Sequence, residues 1–86
     1  MNEEKVIKIL LLSTNEVIIS EITEVAAEFG DPNCKLTKPY KIEDSKLHQW
    51  MIDYTDQKEM MINSDKIITI TTPNKKYLNM YLNETS

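Results

Sequence analysis

Arginine is absent from this 86-residue chain, and Gly, Cys, His, Trp and Phe occur only once each. Without Arg, the chain lacks the bidentate guanidinium group that binds phosphate and guanine, which disfavours tight nucleic-acid binding. A single Gly excludes a glycine-rich phosphate loop. One Cys and one His can form neither an internal disulfide nor a four-ligand structural zinc site.

Long apolar runs are also missing. The longest spans residues 9–12, which is strand-sized and far below the ~20 residues of a membrane span. The first five residues are acidic, unlike the basic start of a signal peptide. With a single Cys, these features predict no membrane association and a reducing, cytoplasmic location.

The charge is negative and unevenly spread. Ten Lys face 14 Asp and Glu, giving a net charge of −4. Residues 1–34 carry most of the excess negative charge, and the Lys residues concentrate after residue 34. A cluster there consists of Lys35, Lys38, Lys41 and Lys46. This cluster is either an ordinary solvated surface or a weak contact for a polyanion.

The length predicts a single domain over residues 1–86 with a small core. A chain of this size buries roughly 60–65% of its unfolded surface, so its stability is marginal. Because a disulfide and a zinc site are excluded, association with further copies is the remaining way to bury more surface. We therefore expect a homo-oligomer.

The hydrophobic pattern predicts a mainly β fold. The five predicted strands cover residues 6–12, 17–26, 36–43, 48–63 and 66–71. The fourth is interrupted at residues 56–57, which divide it into segments 48–55 and 58–63. Turns are predicted at residues 13–16, 30–33, 43–45 and 63–65. Pro39 cannot donate a ladder hydrogen bond, so the third strand should lie at an edge or contain a bulge.

The spacing of apolar residues changes from that of a strand to that of a helix near the C-terminus, where residues 73–83 are predicted to form a short helix. Thr72 is the expected N-cap, followed by Pro73 at the first helical position. An apolar stripe should dock the helix on the sheet; its members are Tyr77, Leu78, Tyr81 and Leu82.

Two stretches resemble the short motifs of the Sm-like family, the Sm, LSm and Hfq ring proteins. Residues 12–22 (LSTNEVIISEI) resemble the first motif, with Asn15 and Ser20 at the positions of its two glycines. Residues 61–73 (MINSDKIITITTP) resemble the second motif, in its Hfq version: an apolar strand end, a tight turn and an Ile-rich strand closing at Pro. The chain is also similar to small proteins of marine T4-type phages (cyanophages).

The resemblance implies a small five-stranded Sm-like (SH3-type) barrel, here with a short C-terminal helix. It also implies a homo-oligomeric ring of about five to seven subunits, formed by head-to-tail pairing of edge strands. The family binds single-stranded, uridine- or adenine-rich RNA near the pore, so the expected partner of this chain is single-stranded RNA or DNA. Carried over to this chain, the nucleic-acid-binding residues are Phe29, Asp31, Asn33, Asn63, Ser64 and Lys66.

Within this set, Phe29 would stack a base, and Asn33 and Asn63 would read a base edge. The alternative for Phe29 is that it plugs one end of the barrel. Asp65 stands where the family places a cation. Its carboxylate would repel phosphate. The absence of Arg and the acidic pI favour a competing interpretation, a protein-interaction or virion-assembly ring with no nucleic-acid role.

Catalysis is not expected. Cys34 has one possible base, His48, and a partly buried, inert Cys is the favoured interpretation. His48 is in phase with Trp50, Ile52 and Tyr54, which favours a place in the barrel or at an interface. We therefore expect a non-enzymatic protein with no catalytic residues, metal or cofactor. If phage-derived, it would act in the cytoplasm of the infected bacterial host.

Overall fold

The computed structural model describes residues 6–86 and is mainly β with one C-terminal helix, as predicted. The strands are β1 (Ile7–Leu12), β2 (Val17–Glu24), β3 (Cys34–Glu43), β4 (Lys46–Gln49), β5 (Glu59–Ile62) and β6 (Ile67–Thr71), and the helix is α1 (Lys75–Thr85). A 3₁₀ turn, Ser64–Lys66, joins β5 to β6. The described chain therefore has six strands, where the sequence predicted five.

All six strands belong to one antiparallel sheet with the order β4-β3-β2-β1-β6. β5 also pairs with β3, along the half of β3 that β4 leaves uncovered. β4 and β5 thus follow one another along the same side of β3. β3 is an interior strand, and β5 and β6 lie at opposite ends of the sheet.

The predicted strand over residues 48–55 is wrong beyond Gln49. Residues 50–54 form a turn, in which Met51 has a φ of 67° and its carbonyl accepts from the Tyr54 N–H at 2.9 Å. Trp50 packs against the core, whereas Ile52 and Tyr54 are exposed. The alternating apolar residues therefore share no buried face, and the expected long strand becomes two short ones.

Two predicted turns are confirmed by their backbone angles. Asn15 has a φ of 70° in the turn between β1 and β2. Asp44 and Ser45 have φ values of 54° and 60° and form a two-residue loop between the paired residues Glu43 and Lys46. Two consecutive positive φ angles define a type I′ hairpin, whose twist matches that of the strands.

The sheet is buried on both faces, because successive residues of a strand point to opposite sides. Ile18 packs in an inner core, and its neighbour Ile19 packs against α1. The buried residues of the inner core are Leu10, Leu12, Ile18 and Leu36, with Ile22, Trp50, Ile62 and Ile67 around them. On the helix side, Ile19, Tyr40 and Tyr81 are buried.

The helix begins later than predicted. Its N-cap is Asn74 rather than Thr72, and the Asn74 side chain accepts from the Tyr77 N–H at 3.0 Å. Tyr81 is the buried residue of α1, and Leu82, predicted to face the sheet, is 43% exposed. No helix among residues 6–86 is long and apolar enough to cross a membrane.

β3 contains a bulge at Pro39. The sequence predicted either a bulge or an edge position for this strand, and the bulge is confirmed. Ile19 pairs with Tyr40 and Glu21 pairs with Thr37, so that residues 38–39 lie opposite Ser20 alone. Ser20 is fully buried, and its hydroxyl lies 2.8 Å from the Glu21 carbonyl oxygen and 3.1 Å from the Thr37 carbonyl oxygen. β3 therefore has one residue more than β2 at this point.

Candidate functional site

The residues predicted to bind nucleic acid lie on two loops that hydrogen bonds hold together. We call residues 28–33 and 63–66 the loop pair. The Asn33 side chain accepts from the Ser64 N–H at 2.9 Å and donates to the Ser64 hydroxyl at 3.1 Å. The Asn63 amide donates to the Gly30 carbonyl at 3.4 Å. The fold therefore brings the two predicted segments to one place.

The two Asn side chains both act in holding the loop pair. Asn63 also caps the 3₁₀ turn, because its side-chain oxygen accepts from the Asp65 N–H at 3.0 Å. A primary amide has two N–H donors, and Asn33 and Asn63 each use one of them here. With respect to residues 6–86, each retains one N–H with which it could contact a ligand.

Phe29 is fully exposed at the tip of the first loop. Its relative exposure is 108%, so it does not plug the end of the sheet, and that alternative is wrong. The next residue, Gly30, has a φ of 91°, a conformation that favours Gly. The Asp31 N–H donates to the Glu28 carbonyl at 2.9 Å, which closes the tight turn that presents Phe29.

The loop pair is acidic. Its ionisable side chains are Glu28, Asp31, Asp65 and Lys66, and all four residues are exposed. Three carboxylates against one ammonium group give a local excess of negative charge. A phosphate backbone would be repelled here, so any nucleic-acid binding at this place must come from Phe29 and the free amide N–H groups.

The two end strands have exposed apolar side chains. On β6, Ile68 and Ile70 are 61% and 51% exposed, and on β5, Met61 is 48% exposed. Within the described sheet, β6 pairs with β1 and β5 pairs with β3, each along one side. We call the other sides of β5 and β6 the open edges. Such edges can pair with a strand of another chain.

Cys34 and His48 do not form a pair. Cys34 lies at the start of β3 opposite Ile62, and His48 lies opposite Lys41, seven residues further along. At about 3.3 Å per residue, this separates them by about 23 Å. Burial, followed by the charge of Glu24, raises the pKa of the Cys34 thiol, which lowers its reactivity. No cluster of metal-ligating side chains occurs in the described part of the chain.

The cluster of Lys residues is partly compensated by acids. Lys41 lies 3.1 Å from Glu43 and 3.7 Å from Glu16, and its hydrogen bond to Glu43 raises the Lys41 pKa. Lys35 lies 3.8 Å from Glu59. The ordinary surface interpretation of this cluster fits these contacts better than a polyanion site.

A cavity of about 210 Å³ lies between the bulge in β3, the segment between β4 and β5, and the end of α1. Its walls include Pro39, Tyr40, Trp50 and Met60, and Lys38 and Lys58 are among its polar residues. The sequence did not reveal it, because residues 50–54 were predicted to continue a strand. A turn there would have been needed to place Trp50 beside Pro39.

Comparison with known families gives one assignment. Residues 5–86 match the model of a family of unknown function, DUF6561. The chain belongs to DUF6561. No curated protein matches it. The DUF6561 match includes the loop pair, both open edges and the cavity, so all three features lie in the region that defines the family.

Proposed function

We propose that this DUF6561 protein is a non-enzymatic, Sm-like barrel that assembles into a homo-oligomeric ring of about five to seven copies. The observation that carries the proposal is β6, a strand with one open edge and two isoleucines more than half exposed, Ile68 and Ile70. An exposed apolar edge strand is a site of association unless something covers it. Another copy of the chain is the simplest cover.

The packing of the sheet supports a barrel-like shape. Ile62 from β5 and Ile67 from β6 come from opposite ends of the sheet, yet both pack against the same inner core. The sheet must curl for its two ends to reach one cluster. In the proposed barrel, the open edges of β5 and β6 face outward on either side of the Ser64–Lys66 turn.

The two open edges also suit a ring. β5 presents Met61 and β6 presents Ile68 and Ile70, so that the two surfaces differ and contacts between them are head to tail. Head-to-tail contacts generate a closed ring when the rotation per subunit closes. Pairing β5 of one subunit with β6 of the next would satisfy the unpaired backbone groups of both strands.

The assembly proposal is tested by placing a charge on the open edge. We expect Ile68→Lys to dissociate the oligomer, because the neighbouring subunit would then cover an ammonium group in place of an apolar side chain. Tyr54→Lys is the matched control, since Tyr54 is 83% exposed on the loop after β4. Light scattering should give a smaller mass for Ile68→Lys alone. An unchanged oligomer mass in Ile68→Lys would contradict the proposal.

A second proposed function is the binding of single-stranded RNA or DNA by the loop pair, and the exposed Phe29 favours it. A fully exposed aromatic ring on a hydrogen-bonded loop is suited to base stacking, which is worth ~1–3 kcal/mol per base. The predicted contacts remain Phe29, Asp31, Asn33, Asn63, Ser64 and Lys66. Cytoplasmic location and phage origin belong to the same proposal.

Fluorescence anisotropy with short oligo-U, oligo-A and oligo-dT tests this second function. Binding should favour single strands over duplex and change little between low and moderate salt, because few cations would release counterions. Absence of binding at about 100 μM protein, the weak end of non-specific affinities, would contradict it. An intact ring that binds none of them would leave a protein-interaction or virion-assembly role.

A further inference from the structure

We propose that the cavity beside the β3 bulge binds a small amphipathic carboxylate, that is, an apolar ring carrying one carboxylate group. This site shares Met60 with β5 but includes no residue of β6 or of the loop pair, and it does not rest on the proposed ring. The cavity measures about 210 Å³. Pockets for drug-sized ligands range from about 300 to 1,000 Å³, so this one suits a single ring.

The apolar walls are fixed before any ligand arrives. The Trp50 N–H donates to the Pro39 carbonyl at 3.0 Å, and the Trp50 indole N–H donates to Glu16 at 3.3 Å. The Tyr40 ring meets Tyr81 edge to face, with centroids 5.9 Å apart. Walls held in this way lose little conformational freedom on binding, which favours affinity.

The charges around the cavity favour an anion. Lys38 and Lys58 line it together with one carboxylate, Glu84. The Lys38 ammonium group donates to the Thr85 carbonyl at 3.3 Å, and neither Lys forms an ion pair with any residue from 6 to 86. Two cations against one anion leave an excess positive charge, so a carboxylate is preferred to an amide or an amine.

A neutral hydrogen-bond donor, the Tyr40 hydroxyl, also favours a carboxylate ligand. The Gln49 side-chain N–H donates to the Tyr40 hydroxyl oxygen at 3.4 Å. The hydroxyl proton of Tyr40 has no acceptor among the described residues, so it is available to a ligand oxygen. Gln49 and Tyr40 both line the cavity. A carboxylate can accept from this hydroxyl and from an ammonium group at the same time.

The chain carries its own reporter, because its single Trp, Trp50, lines the site. We would titrate the full chain with phenylacetate, phenylacetamide and phenethylamine and follow Trp50 fluorescence. Phenylacetate should bind saturably and about two- to fivefold more tightly than the amide, the range for an exposed ion pair. Phenethylamine should bind more weakly than the amide.

Variants then test the role of each part. Lys58→Gln should remove the preference for the acid while leaving amide binding unchanged, and Lys46→Gln, an exposed Lys on β4, is the matched control. Ile52→Ala should weaken both ligands, because Ile52 lines the cavity and is 47% exposed, so its truncation leaves the fold intact. Melting temperatures should stay within the wild-type range.

Three results would overturn the proposal. One is the absence of a saturable Trp50 response to every probe up to about 10 mM, a weak-fragment limit. Another is equal affinity for phenylacetate and phenylacetamide. The third is an equal effect of Lys46→Gln and Lys58→Gln on phenylacetate binding, which would assign the preference to the overall charge of the protein.

Discussion

The hydroxyl of Tyr81 on α1 donates to the carbonyl oxygen of Lys38 in the β3 bulge, across 2.9 Å. The same hydroxyl lies 3.0 Å from the Thr37 carbonyl and accepts from the Glu21 N–H at 3.1 Å. The register shift at the bulge opens the β2–β3 ladder at this point. Tyr81 therefore partners backbone groups of both strands and couples the position of the helix to the shape of the bulge.

We expect Tyr81→Phe to lower the free energy of unfolding by about 1–3 kcal/mol, the cost of leaving buried backbone groups unpaired. Urea unfolding measures this change. The matched control is Tyr77→Phe, because the Tyr77 hydroxyl has no hydrogen bond within residues 6–86. An equal decrease in the free energy of unfolding in the two variants would show that the hydrogen bonds of the Tyr81 hydroxyl do not stabilise the fold.

Alkaline pH should weaken the same contact. Burial raises the pKa of Tyr81 from 10.0 to about 12, so the folded protein favours the protonated phenol. The resulting stabilisation is complete below about pH 10 and is lost as the pH rises from 10 to 12. We expect wild type to lose more stability than Tyr81→Phe over this window. The difference between their titrations at 295 nm should show one Tyr ionising near pH 12.

Removing α1 should expose the helix-side core. Truncation after Pro73 uncovers Ile19 and Tyr40, and burial of such a side chain is worth roughly 1.5–3 kcal/mol. We expect the truncated chain to melt at a lower temperature and to lose solubility. Leu82→Glu is the control, since Leu82 is 43% exposed and should tolerate a charge. An unchanged melting temperature after truncation would mean that α1 contributes no stability.

Phe29 should matter for ligand binding and little for stability, because its side chain is fully exposed. If the loop pair binds single strands, Phe29→Ala should weaken oligonucleotide binding more than Lys66→Ala does, and Asp65→Lys should strengthen it. Fluorescence anisotropy compares the three variants. A lower melting temperature in Phe29→Ala, with binding unchanged, would contradict this account.

Much of the fold follows from local patterns in the sequence. The hairpin turns contain Asn15, Asp44 and Ser45, which adopt the positive φ angles that such turns require. Asn, Asp and Ser favour turns through contacts within a four-residue segment, so the sequence alone indicates them. Pro39 predicted an interruption of the ladder for the same local reason. No local pattern predicts that the two loops of the loop pair lie side by side, because their hydrogen bonds join residues about thirty positions apart. The two loops were placed together only by the family resemblance.

The remaining features depend on long-range contacts that no local pattern contains. The residues from Trp50 to Tyr54 alternate like a strand, but a strand forms only where a neighbour can pair with it, and here the chain turns at Met51. The cavity exists because of that turn. The Tyr81 hydroxyl contacts the carbonyl groups of Thr37 and Lys38, which lie 44 and 43 positions earlier in the chain. The periodicity of the sequence therefore predicted the helix but not its polar contact with the bulge.

The mass of the unmodified chain in solution is the decisive test of assembly through the open edges. Light scattering at micromolar concentration, with absorbance at 260 nm recorded on the same peak, measures the mass and any bound nucleic acid together. We predict about five to seven times the monomer mass, because the core is small and two edges are open. A well-folded monomer under these conditions would contradict the account.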